Sequence, residues 1–213
     1  MALRIRALAG IISWAFLAGV AGLLVLSAWA MAPFSSAPAD VLQAADRLAR
    51  APFASRVVIG DSRVQFATQP PDALFAGFGG ATSRDLDRFA ALMCTFSRAP
   101  VTVALGINDT KPAEVNVGES RRAFTRIAQS CEREGLWIAG IWPAEAGVEP
   151  AGDDYDPLAI ASLDAFLEEL AAEVGARRID VPTLRPGFTY DGVHFTQPVS
   201  QDYADRLAFP DGR

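Results

Sequence analysis

Histidine and cysteine are nearly missing from this chain: His194 is the only imidazole in 213 residues, and Cys94 and Cys131 are the only two sulfhydryl residues. Neither the ligand count nor the CxxC spacing of a Cys/His zinc framework is present, so no metal site is expected. Basic residues are the minority, 19 Lys and Arg against 25 Asp and Glu for a net charge of −6. That balance removes the electrostatic footprint of a nucleic-acid binder. Charge of either sign is absent from Ala7 to Ala39. With that leader set aside about 170 residues remain, enough for one core and too few for two. Internal repeats and low-complexity tracts are also lacking, and a composition 51% apolar and 21% charged is too hydrophobic for a disordered chain.

The leader is the first feature that is present. Arg4 and Arg6 precede an apolar run that reaches about Phe34. A helix needs roughly 20 apolar residues to cross hydrocarbon, and this run exceeds that. A cleavable signal has a shorter apolar core, about 7–15 residues, but Ala28-Trp29-Ala30 offers an A-x-A site and keeps that reading open. Residues 1–34 are therefore expected to be a transmembrane anchor or uncleaved signal. The basic end stays in the cytoplasm by the positive-inside bias and the rest is exported. The expected location is the inner membrane, single-pass, with the domain facing the periplasm, or secretion if the leader is cut. Ser35 to Ala39 reads as a linker and Val41 to Ala51 as an amphipathic lead-in helix, which leaves 56–213 as the exported domain.

That domain alternates two kinds of segment. Arg56 to Ile59, a weaker Ala73 to Ala76, Val101 to Leu105, Leu136 to Ile141 and Arg178 to Val181 are short and apolar, as buried parallel strands are. Helical patterns lie between and after them: Ser83 to Phe96, about Val117 to Glu134, Pro157 to Val174, and Val199 to Leu207. Right-handed crossovers make this a doubly wound, flavodoxin-like three-layer α/β/α fold with a five-stranded parallel sheet, preceded by the hydrophobic helix. Ligands of such sheets sit at the carboxyl ends of the strands.

Four fragments stand at those ends: Gly60-Asp61-Ser62, Gly77-Phe78-Gly79-Gly80-Ala81-Thr82, Gly106-Ile107-Asn108-Asp109 and, after the fifth strand and a loop, Asp191-Gly192-Val193-His194. Singly each is an ordinary turn or cap sequence. In this order they resemble the SGNH hydrolases, or GDSL esterases, over about Val57 to Leu207. Ser62 matches the family's nucleophile, Gly80 its glycine block, Asn108 its asparagine block, and Asp191 and His194 its D-x-x-H block. One departure is visible: Phe75 stands where an asparagine often precedes the glycine by five residues.

The chemistry of these residue types agrees. A serine hydroxyl needs an adjacent base, and His194 is the only histidine to supply one. Asp191 could fix its tautomer and steady the imidazolium. The Ser62 and Gly80 backbone N–H groups and the Asn108 amide could stabilise an oxyanion, with glycine at 80 leaving room for substrate. Asp61 is a candidate N-cap, Asp109 a candidate orienter of the third-strand loop, and Asp153-Asp154 a solvated acidic loop. Arg63 and Trp142 are expected on the substrate rim. Cys94 and Cys131 fall near the ends of consecutive helices, and either a disulfide or two buried thiols fits that placement.

The resemblance implies hydrolysis or transfer of an ester-held acyl group without metal or organic cofactor. Short loops predict an open groove suited to a small acyl group on a bulky carrier, such as acylated envelope carbohydrate. A lysophospholipase or thioesterase is the enzymatic alternative. A non-catalytic accessory of a membrane acyltransferase or polysaccharide exporter is the alternative of another class.

Overall fold

Val57, Val58 and Ile59 and the run Val101-Thr102-Val103 are β-branched residues that pack well on a pleated surface, and they form the middle of the sheet. The computed structural model describes residues 2–112, 116–131 and 135–212, with side chains of the first helix from Trp14 onward. Its elements in chain order are α1 (Ala2–Met31), α2 (Pro38–Arg50), β1 (Arg56–Gly60), α3 (Ser62–Phe66), β2 (Ala73–Gly77), α4 (Ser83–Phe96), β3 (Val101–Ala104), α5 (Val117–Ser130), β4 (Leu136–Ala139), α6 (Pro157–Val174), β5 (Arg177–Ile179) and α7 (Gln197–Ala208). The five strands are all parallel, in the order β2-β1-β3-β4-β5. The order reverses direction beside β1, which opens a crevice at the carboxyl ends of β1 and β3.

Strand residues alternate between two apolar layers, as a period of two requires. Val57, Ile59, Leu74, Val101, Val103 and Ile138 face one core, shared with α2, α4, α5 and α6. Val58, Phe75, Trp137 and Ile179 face the other, shared with α3 and α7 through Val64, Tyr203, Ala204 and Leu207. The α/β/α expectation therefore holds, with the larger group of helices on one face.

Several boundaries differ from expectation for local reasons. The lead-in helix starts at Pro38 rather than Val41, since proline is preorganised for a first helical turn. Strand β4 stops at Ala139 because the Ile141 N–H leaves the ladder and donates to Asp164 Oδ1 at 2.7 Å. Helix α5 is assigned to Ser130, and the rest of its expected span, Glu132 to Glu134, lies outside the described residues. The end of α1 is not a free-standing leader: Ser27, Ala30 and Met31 are fully buried, and Ala30 and Met31 share one core with Ala44 and Leu48 of α2 and with Phe89, Ala90 and Met93 of α4.

Candidate active site

Strand β1 ends in Gly60-Asp61-Ser62, and Asp61 starts the helix that follows. Its Oδ1 accepts the Arg63 N–H at 2.8 Å, the N-cap role expected of it. Ser62 is thereby the first residue of α3, its hydroxyl at the sheet's carboxyl edge. His194 Nε2 lies 3.0 Å from Ser62 Oγ, and His194 Nδ1 lies 2.6 Å from Asp191 Oδ2. A carboxylate only accepts, so Nδ1 carries the proton and Nε2 is left to accept from the serine. Partial burial works to raise the Asp191 carboxyl, but the His194 side chain and the His194 and Val193 N–H groups outweigh it and hold it below the usual range. The three residues that the sequence offered as nucleophile, base and orienter thus form one hydrogen-bonded line.

The glycine and asparagine blocks join that line because β2 and β3 flank β1. Phe78 to Ala81 is a tight turn, closed by the Ala81 N–H donating to the Phe78 carbonyl at 3.2 Å. Gly80 takes φ +79° at its third position, where a type II turn requires glycine. A Cβ there would meet no protein atom within 4 Å, so within the protein it is backbone conformation rather than crowding that demands glycine. Asn108 is buried, and its Nδ2 donates to the Ala81 carbonyl at 3.1 Å. An amide nitrogen carries two protons, so one remains for another acceptor. Asp109 orients the neighbouring helix by accepting the Ser83 N–H at 2.9 Å and the Ser83 hydroxyl at 2.6 Å, while burial pushes its carboxyl up.

The two expected rim residues are buried, and of them Arg63 still backs the wall of the cleft beside His194. Arg63 is 4% exposed and Trp142 2%. The Arg63 guanidinium lies over the Phe195 ring, 4.5 Å from its centroid, and donates to the carbonyls of Val193 at 2.9 Å, Pro143 at 2.8 Å and Trp142. It bolts α3, the helix that Ser62 opens, to the residue preceding His194 and to the chain leaving β4. The Trp142 ring packs between Phe195 and Tyr203, with centroids 5.2 and 5.0 Å away. Arginine beside a nucleophile suggests surface by residue type, but its five donors find enough carbonyls here to be buried.

Glu145 is a second residue the sequence did not disclose. Its carboxylate accepts the Gly187 N–H, and the Thr189 N–H and hydroxyl, each of these last two at 2.8 Å. Its own N–H donates to the Gly192 carbonyl at 2.8 Å. Ala151 N–H donates to the Asp191 carbonyl at 3.0 Å, and a Cβ on Gly192 would sit 2.1 Å from Gly152 N. The loop after β4 therefore clasps the loop that carries Asp191 and His194. All of these contacts are long-range and all but the Thr189 hydroxyl's involve backbone, so they leave no local sequence pattern.

His194 is flanked by Phe66, edge-on at 5.3 Å, and by Tyr190, stacked at 5.9 Å. Beside it opens a cleft of about 470 Å³ whose walls include Phe66, Thr68, Tyr190, Gln197 and Ser200. Another depression, of about 310 Å³ around Phe53 and Asp72, lies at the amino ends of β1 and β2, away from Ser62. Cys94 of α4 and Cys131 at the end of α5 form a disulfide, with Cα atoms 5.2 Å apart, and no thiol is free.

No protein-family model and no curated protein matches the chain. Solved structures do. A lipase/acylhydrolase from Enterococcus faecalis is similar with a TM-score of 0.60 and 19% identity over 70% of this chain and 91% of its own. A GDSL-like lipase from Bacteroides thetaiotaomicron gives 0.57 and 24% over 72% and 85%, and a carbohydrate acetylesterase from Sinorhizobium meliloti 0.55 and 13% over 72% and 98%. At these identities the likeness establishes the fold: this chain has the architecture on which those ester-cleaving enzymes are built.

Proposed function

We propose that the chain is an SGNH-type serine esterase or O-acyltransferase that works on small acyl esters, such as acetyl esters, of cell-envelope carbohydrate. The observation that carries this reading is the Ser62–His194–Asp191 line at the sheet's carboxyl edge. In the first half-reaction Ser62 Oγ attacks the ester carbonyl carbon while His194 Nε2 takes the hydroxyl proton. The carbonyl oxygen becomes an oxyanion, for which the Ser62 and Gly80 N–H groups and the free Asn108 amide proton are the donors, each worth roughly 10²–10³ in rate. The tetrahedral species collapses as the bond to the alcohol oxygen breaks and the imidazolium returns its proton to that oxygen. The acyl group is left on Ser62. A water, or the hydroxyl of an acceptor sugar, then attacks the acyl carbon, loses its proton to His194, and frees Ser62 in its protonated form. No step calls for a metal or organic cofactor. The uncharged leader supports a membrane-facing placement in the periplasm, and the acetylesterase among the structural neighbours supports an acylated carbohydrate as substrate.

The test is covalent. The full chain in detergent should bind a fluorophosphonate probe and hydrolyse p-nitrophenyl acetate, with both lost in Ser62→Ala and turnover lost in His194→Ala. Equal labelling or turnover in Ser62→Ala overturns the serine mechanism. Product analysis with an acceptor sugar present separates transfer from hydrolysis.

A further inference from the structure

The alcohol half of an ester leaves past the base, because His194 Nε2 must hand its proton to the departing oxygen. Whatever surrounds His194 therefore meets that half of the substrate. Outside α1, the exposed aromatic side chains among the described residues are Phe53, Phe66 and Tyr190, and two of these three flank His194. Phe66 is 64% and Tyr190 63% exposed. Exposed apolar surface grouped at a cleft marks a binding site, whereas a lone exposed ring needs no explanation. The cleft they border, about 470 Å³, is within the range of small-ligand sites and larger than an acetyl group needs.

The rest of the lining identifies the ligand. Thr68, Gln197 and Ser200 each offer both donor and acceptor capacity and no charge. The one cation on the cleft wall is Arg63, and its guanidinium is already committed to three backbone carbonyls. A phosphate headgroup would lack a free cation, and a fatty chain would meet hydroxyls and an amide. An uncharged polyhydroxyl ring is matched on both counts: its C–H face lies flat on an aromatic ring while its hydroxyls exchange hydrogen bonds with the polar wall.

We propose that Phe66 and Tyr190 are the platforms of an alcohol-side subsite that takes the sugar rings of a neutral acylated oligosaccharide, with Thr68, Gln197 and Ser200 as its polar wall. This assignment rests on the ester reading above and adds the residues that select the substrate.

The experiment compares two acetyl esters on the full chain in detergent, ethyl acetate and an O-acetylated xylo-oligosaccharide, for wild type, Phe66→Ala, Tyr190→Ala and Tyr190→Phe. The ratio of kcat/KM for the oligosaccharide to that for ethyl acetate should fall about threefold to tenfold in each alanine variant, the scale of one lost aromatic contact. The fall should come through KM, and Tyr190→Phe should retain the wild-type ratio. An unchanged ratio overturns the subsite, since the rings would then serve only to hold the imidazole. Turnover of lysophosphatidylcholine that depends on Tyr190 overturns it in favour of a lipid. If wild type cleaves neither acetyl ester beyond Ser62→Ala, the ester reading fails and the subsite with it, a result distinct from Ser62-dependent cleavage at an unchanged ratio.

Discussion

Arg63 shows how a residue one position from a candidate nucleophile can act through structure alone. Its guanidinium joins α3 to Val193, 130 residues away, and to the Trp142 carbonyl, 79 residues away. Replacing it with methionine strands three carbonyls, two of them buried, and removes the charge that most favours ionised Asp61. The expected cost is about 3–5 kcal/mol. Thermal melting of Arg63→Met should show it, and Arg63→Lys, keeping the charge with fewer donors, should recover part of it; a melt like wild type for both would contradict the bolt. Asp61 sets a pH dependence. Burial, only partly offset by Arg63, raises its carboxyl from 3.8 to about 6. The folded state then holds that proton more tightly than the unfolded state does. Relative to Asp61→Asn, the wild type should lose stability as pH rises from about 4 to 6, by about 2–3 kcal/mol, and stay level above that window. Melting curves of the two proteins across this range check the sign, and a difference that is flat with pH would refute it. The meeting of Ser62, Asp191 and His194 was legible in the sequence because few residue types can form such a hydrogen-bonded line. Arg63 and Glu145 were not, because they recognise backbone atoms that every residue has.

At the scale of elements, the strands and helices were legible wherever periodicity alone determines them: α4 and α6 match their expected spans end to end. Boundaries failed where a side chain from elsewhere intervened, as Asp164 does at Ile141. The pairing of α4 with α5 is the element-scale fact the sequence left undecided, since spacing could not say whether Cys94 and Cys131 approach. They do, across a separation of 37 residues. Closing a loop of that size is worth about 3–4 kcal/mol in the chain-entropy account. Reductant should therefore lower the midpoint of thermal unfolding by about 10 °C. Two titratable thiols in the native, unreduced protein would rule the bridge out.

For the molecule as a whole, hydropathy marked the leader but not its end point. An apolar residue facing lipid and one facing a protein core look alike in sequence. Trp14, Phe16, Leu17 and Val25 are exposed, whereas Ser27, Ala30 and Met31 are interior. Phe34, just after the helix, packs edge-on against Phe78 of the glycine turn at 6.1 Å, and Gln43 of α2 donates to the Gly77 carbonyl at 2.9 Å. Cutting after Ala30 would remove the buried Ser27 and Ala30, and with Ala30 part of the core that α1 shares with α2 and α4. The full-length form is therefore expected in the membrane fraction: C-terminally tagged protein should keep the mass of the whole chain and resist alkaline extraction. A product beginning at Met31 would show that the domain closes without the helix.

The contact of Gly192 with Gly152 has a consequence for how this protein can change over time. A side chain on Gly192 has no room while the 145–152 loop keeps its path, and a Cβ on Gly152 would fall 2.1 Å from the Glu145 carbonyl oxygen and 3.4 Å from Gly192 Cα. Each glycine is thus held by the clasp, Gly192 by the backbone of Gly152 and Val148, and Gly152 by the Glu145 carbonyl. A lineage that lost either would have to remodel the clasp over the Asp191–His194 loop in the same step.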